Sequence, residues 1–112
     1  MADIVDLHGW DLTPLQARQL QEKLRPQVAV RRLRKKVRFA AGLDCAMDKS
    51  RGLIFAAAVV FSFPELERVE TATAKASLNF PYVPGLLSFR EIPVCLEAAK
   101  KVQNRVDLWL ID

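Results

Sequence analysis

The sequence predicts an α/β fold: one mixed sheet with helices beside it. Three observations lead there. Apolar residues recur at helical spacing early and late in the chain, and between these stretches three segments read as strands joined by short connections. A fourth apolar segment follows the second helix, and a strand reached through a crossover helix lies parallel to its neighbour.

The bulk numbers set the frame. At 112 residues the chain has room for a single domain. A hydrophobic fraction of 51% with 27% charged residues belongs to a folded protein with a modest core and excludes a disordered one. Seventeen Lys and Arg against thirteen Asp and Glu give a formal charge of +4, a mild bias toward polyanionic partners that many non-binders share. The start, Met1 to Asp6, has neither the basic region nor the apolar run of a secretory signal, and no run reaches membrane-spanning length, so a cytoplasmic location is expected by default. Cys45 and Cys95 lie far apart with no further cysteine to make a metal-ligand pair, and are expected to be reduced and unreactive.

Each element has its own signal. Thr13-Pro14-Leu15-Gln16 spells a capping box with proline at the first helical position, so a helix is expected over about 13–25. Ala17, Leu20 and Leu24 form its apolar face, and Pro26 ends it. From Val37 the period changes to two: Val37, Phe39, Ala41 and Leu43 alternate with Arg38, Ala40, Gly42 and Asp44. Residues 48–52 supply a turn. Leu53 to Phe63 is almost wholly apolar, as expected of a central strand buried on both faces, and Pro64-Glu65 separates it from a third strand over Leu66 to Ala76. A Pro- and Gly-containing loop runs through Gly85. The second helix carries Ile92, Cys95, Leu96, Ala99 and Val102 as its apolar stripe, and Val106 to Ile111 reads as a short buried strand parallel to the first. The core is thus three antiparallel strands, a crossover helix and a fourth, parallel strand.

Three carboxylates interrupt this pattern. Asp44 lies in the apolar first strand, Glu91 at the start of the second helix, and Asp112 at the end of the fourth strand. An ionised carboxylate in apolar surroundings needs hydrogen bonds, a raised pKa or a cation, and a shared divalent metal meets all three needs. Oxygen donors suit Mg²⁺ or Mn²⁺, and such sites serve phosphoryl transfer. Simpler roles stand beside this one. Ser88-Phe89-Arg90-Glu91 spells a capping box, against which Pro93 argues because it would fall inside the helix; Asp112 fits a strand end entering a turn, and Asp44 a bulge or bend. The basic run Arg31-Arg32-Leu33-Arg34-Lys35-Lys36 offers phosphate contacts through Arg34, Lys35 and Lys36, or is a solvated linker. His8 has no expected catalytic role, and Trp10 and Trp109 are expected to pack.

The run Pro81-Tyr82-Val83-Pro84-Gly85-Leu86-Leu87-Ser88-Phe89-Arg90-Glu91 resembles the signature loop and helix start of endonuclease V, which commonly reads Pro-Tyr-Ile-Pro-Gly followed by Ser-Phe-Arg-Glu. Residues 37–44 and 106–112 resemble that family's first and fourth strands, so the similarity covers nearly the whole chain. It implies a ribonuclease-H-like nuclease domain that hydrolyses the second phosphodiester bond 3′ to deoxyinosine or another deaminated base in DNA, using Mg²⁺ or Mn²⁺. It also implies that Asp44, Glu91 and Asp112 are the metal-binding, catalytic carboxylates and that Pro81, Tyr82, Val83 and Pro84 form a strand-separating wedge, with Arg90 as a further candidate phosphate contact. A tyrosine restrained between prolines offers a face for base stacking, with packing under the loop as the structural alternative. The family pattern continues past Asp112 with Gly-His-Gly, the other half of the sheet and the lesion pocket. The 112 residues are therefore expected to form a partial domain with little cleavage of its own. A catalytically dead nucleic-acid-binding or assembly segment, or a nuclease directed at inosine in RNA, are the alternatives.

Overall fold

A computed structural model describes residues 4–112; residues 1–3, where the stretch read for a secretory signal begins, lie outside the described residues. The elements are α1 (Pro14–Leu24), β1 (Phe39–Asp48), β2 (Leu53–Ser62), β3 (Arg68–Ser77), α2 (Leu87–Lys100) and β4 (Leu108–Ile111). The strands make one sheet in the order β3-β2-β1-β4, antiparallel throughout except for the parallel pair β1 and β4. No described helix is long and apolar enough to cross a membrane.

Helix α1 starts as its sequence dictates. Thr13 and Gln16 exchange the two hydrogen bonds of a capping box, at 3.2 and 3.0 Å, and Pro14 opens the first turn. Its α-helical part stops at Leu24, and Pro26 sits inside a single 3₁₀ turn, Arg25–Gln27, rather than simply ending the run. Strand β1 begins two residues later than the alternation suggests, because the amides of Arg38 and Phe39 donate to the Asp107 carboxylate, at 2.9 and 3.2 Å. It then continues four residues past Asp44. Strand β2 stops at Ser62, and the chain bends through the cis Phe63–Pro64 peptide and Leu66, whose φ is 58°, so β3 starts at Arg68 instead of Leu66. A bulge at Val69 completes that corner: Val60 faces Glu70 while Phe61 faces Arg68.

Burial corrects the sequence reading in three places. Ile54, Ala56, Ala58 and Val60 on β2 are buried, whereas Phe55, Ala57, Val59 and Phe61 on its other face are only half-covered, so this strand is not buried on both sides. Helix α2 lies on the first of these faces through Val94, Cys95, Ala98, Ala99 and the following Val102, while Ile92 and Leu96 are at the margin of the contact. The small side chains of Ala98, Ala56 and Ala58 leave room for helix and sheet to pack. Strand β4 is a short edge strand, with Leu110 and Ile111 59% and 60% exposed, not a buried one. A smaller core unites Ala17, Leu86 and Phe89 with Trp10, Leu12, Leu20 and Phe80, fastening α1 and the N-terminal segment to the loop before α2.

Candidate active site

No charged residue is buried among the described residues, so the expected cost of burying carboxylates does not apply to this chain. Asp44 and Asp112 are exposed and Glu91 is half-buried. Alternation along β1 turns Ala41, Leu43, Cys45 and Met47 toward α2 and leaves Gly42 and Asp44 on the open face of the sheet. Leu43 is the register partner of Ile111, so Asp44 and Asp112 are the next residues along two neighbouring parallel strands. Both line one cleft of about 550 Å³, floored by Gly42, Ala57 and Val59 and walled by Leu110 and Ile111. Asp44 Oδ1 accepts the Cys45 amide at 2.8 Å, which leaves Oδ2 without a protein donor. Two exposed carboxylates side by side are hard oxygen donors of the kind a divalent cation takes.

Glu91 is held differently. It lies in the second turn of α2, beside the Cys45 thiol. Burial, followed by the Glu91 carboxylate and the Cys95 thiol, pushes the Cys45 thiol up to about 12; burial also raises Cys95, against the hydrogen bond it shares with Cys45. Both thiols are free and stay neutral, in line with the sequence reading. Sequence reasoning missed that they meet, although both fall on inward-facing positions. Among the described residues no three His, Cys, Asp or Glu side chains are gathered tightly enough to hold an ion. The structure thus brings Asp44 to Asp112 and sets Glu91 against the residue that follows Asp44.

The loop before α2 presents an aromatic ring. Val83-Pro84-Gly85-Leu86 closes a turn, with the Leu86 amide donating to the Val83 carbonyl at 2.9 Å and Gly85 at φ 84°, the conformation a glycine after proline adopts in a type II turn. Gln21 Nε2 donates to the Gly85 carbonyl at 3.1 Å and ties the turn to α1. Leu86 and Phe89 are buried, Pro81 and Pro84 are exposed, and Tyr82 stands 67% exposed rather than packed under the loop. The Arg90 guanidinium lies 5.9 Å from the Tyr82 ring centroid, and its buried Nε has no hydrogen-bond partner. Helix α2 starts at Leu87 with no side-chain cap, so Ser88 and Glu91 do not form a capping box and Pro93 lies within the helix. Trp10 packs on Phe89 at 5.7 Å and Trp109 against the main core, as expected. Arg34, Lys35 and Lys36 are exposed in the irregular segment before β1 and are not brought to the carboxylates.

A family model described as Endonuclease V matches residues 22–112. The chain is 42% identical over 106 residues to the endonuclease V of Trichormus variabilis, covering 94% of this chain and 48% of that protein. Its fold is similar to the crystal structure of the endonuclease V of Streptomyces avermitilis, with a TM-score of 0.83 at 39% identity over 93% of this chain and 46% of the other. It is also similar, with a TM-score of 0.69 at 30% identity over 85% of this chain and 44% of the other, to the Ciona intestinalis endonuclease V in complex with a 24mer DNA containing an inosine followed by a ribo-adenosine. The chain spans about half the length of the curated relatives it matches.

Proposed function

Because the chain belongs to the endonuclease V family, we propose that it is the carboxylate-bearing half of a metal-dependent endonuclease that hydrolyses the second phosphodiester bond 3′ to deoxyinosine or another deaminated base. The observation that carries this reading is the pairing of Asp44 with Asp112 in one open cleft at the ends of neighbouring parallel strands. Those two carboxylates would hold Mg²⁺ or Mn²⁺ on the open face of the sheet; Glu91, which α2 sets beside Cys45 on the other face of β1, is the third ligand proposed and would have to reach the ion from there. When bound, the ion supplies charge neutralisation at the phosphate and a more acidic water. The exposed Tyr82 stacks on a base beside the lesion, which is worth about 1–3 kcal/mol in single-strand binders, and so compensates part of the cost of unstacking. Arg90 braces that ring, and the terminal amino groups of its guanidinium are the phosphate contact proposed, since its Nε is buried.

The same exposure limits the chain acting alone. Its cleft is open to solvent beside Leu110 and Ile111, and a scissile phosphate misplaced by about 1 Å costs about 100-fold in rate. The 112 residues by themselves therefore cleave little, and a protein of the relatives' full length carries the activity. A binding role without cleavage is the second reading, favoured by the lack of three gathered ligands among the described residues.

Two measurements test the proposal. Mn²⁺ titration followed by electron paramagnetic resonance should show binding that weakens at least about 10-fold in Asp44→Asn and Asp112→Asn; unchanged binding in both would remove the metal site. A protein of full family length should nick a deoxyinosine duplex one nucleotide beyond the lesion with Mg²⁺ and not with chelator, while cleavage confined to inosine in RNA would redirect the substrate.

A further inference from the structure

We propose that the segment 31–38 is a phosphate-backbone strap that grips duplex DNA several base pairs away from the carboxylate cleft. It carries Arg31, Arg32, Arg34, Lys35, Lys36 and Arg38 and no acid. Those six cations exceed the net +4 of the whole chain, so the remainder carries a formal −2. The basic character of this protein is therefore a property of one short segment. All six residues are exposed, and up to β1 the segment has no helix or strand. Among the described residues none of the six side chains makes a hydrogen bond or an ion pair; the Lys35 charge helps, after the amides of Arg38 and Phe39, to hold the Asp107 carboxyl below its ordinary value. Packing so many like charges into eight residues gains the fold nothing, and a bare connection between α1 and β1 needs none of them.

The strap is held where it meets the sheet. The Asp107 carboxylate takes the amides of Arg38 and Phe39, and the Arg38 carbonyl accepts the Phe63 amide at 2.8 Å. Its cations therefore project from a fixed point at the start of β1. Asp44 lies five residues further along that strand, which at about 3.3 Å per residue is about 17 Å, the rise of about five base pairs. A duplex with its reacting phosphate at the cleft can thus run on over the strap. This footprint rests on the nuclease reading above; the gripping of DNA does not.

The test separates the two. Binding of the chain to a fluorescein-labelled, undamaged 25-base-pair duplex is followed by anisotropy in chelator across a salt series, so neither lesion nor metal nor cleavage enters. Changing Arg31, Arg32, Arg34, Lys35 and Lys36 to Gln should reduce the slope of log affinity against log salt by about 3–4, and weaken binding at least about 10-fold at 0.1 M salt, since each released counterion contributes about 0.9. Circular dichroism controls for folding. Neutralising Lys23, Arg25, Lys49 and Arg51, exposed cations outside the segment, should change the slope by about 1 or less. An unchanged slope in the first variant overturns the strap, and so does an equal loss in the second, which would make the effect one of net charge. Loss of binding to phosphatidylserine vesicles without loss on DNA would also overturn it. If the strap holds and the footprint fails, shortening the duplex to fewer than about five base pairs beyond a cleavage site will leave the KM of a protein of full family length unaltered.

Discussion

Two adjacent valines on β2 separate the covered face of the sheet from the open one. Val60 is 0% exposed within the core beneath α2, whereas Val59 is only partly covered and floors the cleft that holds Asp44 and Asp112. Truncating either to alanine removes the same atoms and the same strand preference, so the difference between the variants reports coverage alone. At Val60 the lost transfer energy is about 1.6 kcal/mol, at ~0.8 per methyl or methylene group, and a rigid cavity of ~40 Å³ at ~24 cal/mol per Å³ adds about 1, giving ~2.5 kcal/mol. At Val59 no closed cavity forms and up to about a third of the transfer energy is already forgone, leaving ~1.1 kcal/mol. Urea unfolding followed by circular dichroism, with m near ~1.8 kcal/mol/M, should move the midpoint by about 1.4 M for Val60→Ala and about 0.6 M for Val59→Ala. Equal shifts, or a larger one for Val59→Ala, would show that the cleft face is packed and would close the open face on which the proposed phosphate route depends.

Glu70 accepts the amides of Asn104 and Gln103 and the Asn104 side chain, which hold its carboxyl below the ordinary value of 4.5. Its stabilising effect is full above 4.5 and is lost as pH falls through the depressed folded value, so Glu70→Gln should unfold more readily than the parent at pH 7 and converge with it in acid; a constant difference from pH 7 to 3 would contradict this. The Cys45 thiol, raised to about 12, stabilises the fold fully below its unfolded value of 9.0 and loses that effect as pH rises toward 12; Cys45→Ala should flatten the alkaline limb of the stability curve. Gly85→Ala places a Cβ that meets nothing within 4 Å, so its cost, about 1–2 kcal/mol, comes from the φ of 84° alone and should appear as faster amide exchange in the loop before α2, with the sheet unchanged. Tyr82→Ala should weaken binding to a deoxyinosine duplex about 5- to 150-fold, with Tyr82→Phe near the parent; equal loss in both would shift the role from stacking to the hydroxyl.

The features legible in the sequence were those that depend on near neighbours. Thr13, Pro14 and Gln16 satisfy one another's backbone groups within a single turn, so the start of α1 could be read directly. The order of the strands follows from connection lengths and the crossover through α2. Boundaries set from a distance were hidden: β1 starts at Phe39 because Asp107, 68 residues away, takes the amide that would otherwise extend the strand. Apolar content and coverage also differ. Leu53 to Ser62 is apolar on both faces, but periodicity says nothing of what lies against each, and only the face toward α2 is closed in the described residues. On α2 the stripe was misread: Val94 and Ala98 rather than Ile92 and Leu96 centre on the sheet beside Cys95, Ala99 and Val102, and separately the helix begins at Leu87, ahead of Glu91.

The candidate site shows the same division among its acids. Asp48, Glu70 and Asp107 are each engaged by two or more donors from other residues, and such donors mark an acid that holds the fold. Asp44 takes a bond only from the amide that follows it. For Glu70 and Asp107 no spacing in the sequence shows this, because their donors arrive from elements distant in the chain, whereas Asp48 is engaged by Ser50 and Arg51 in its own turn. The structural acids nevertheless position the others. Glu70 fastens the turn after α2 to β3, and Asp107 clamps the end of that connection to the start of β1, so β4 enters the sheet at a fixed register with Ala40 opposite Leu108. Three further residues along that register bring Leu43 to Ile111 and leave Asp44 and Asp112 adjacent. A slip of one residue would turn Asp112 to the α2 side of the sheet, away from Asp44. The pairing of the two carboxylates is therefore a consequence of two other carboxylates, Glu70 and Asp107, each satisfied by backbone amides.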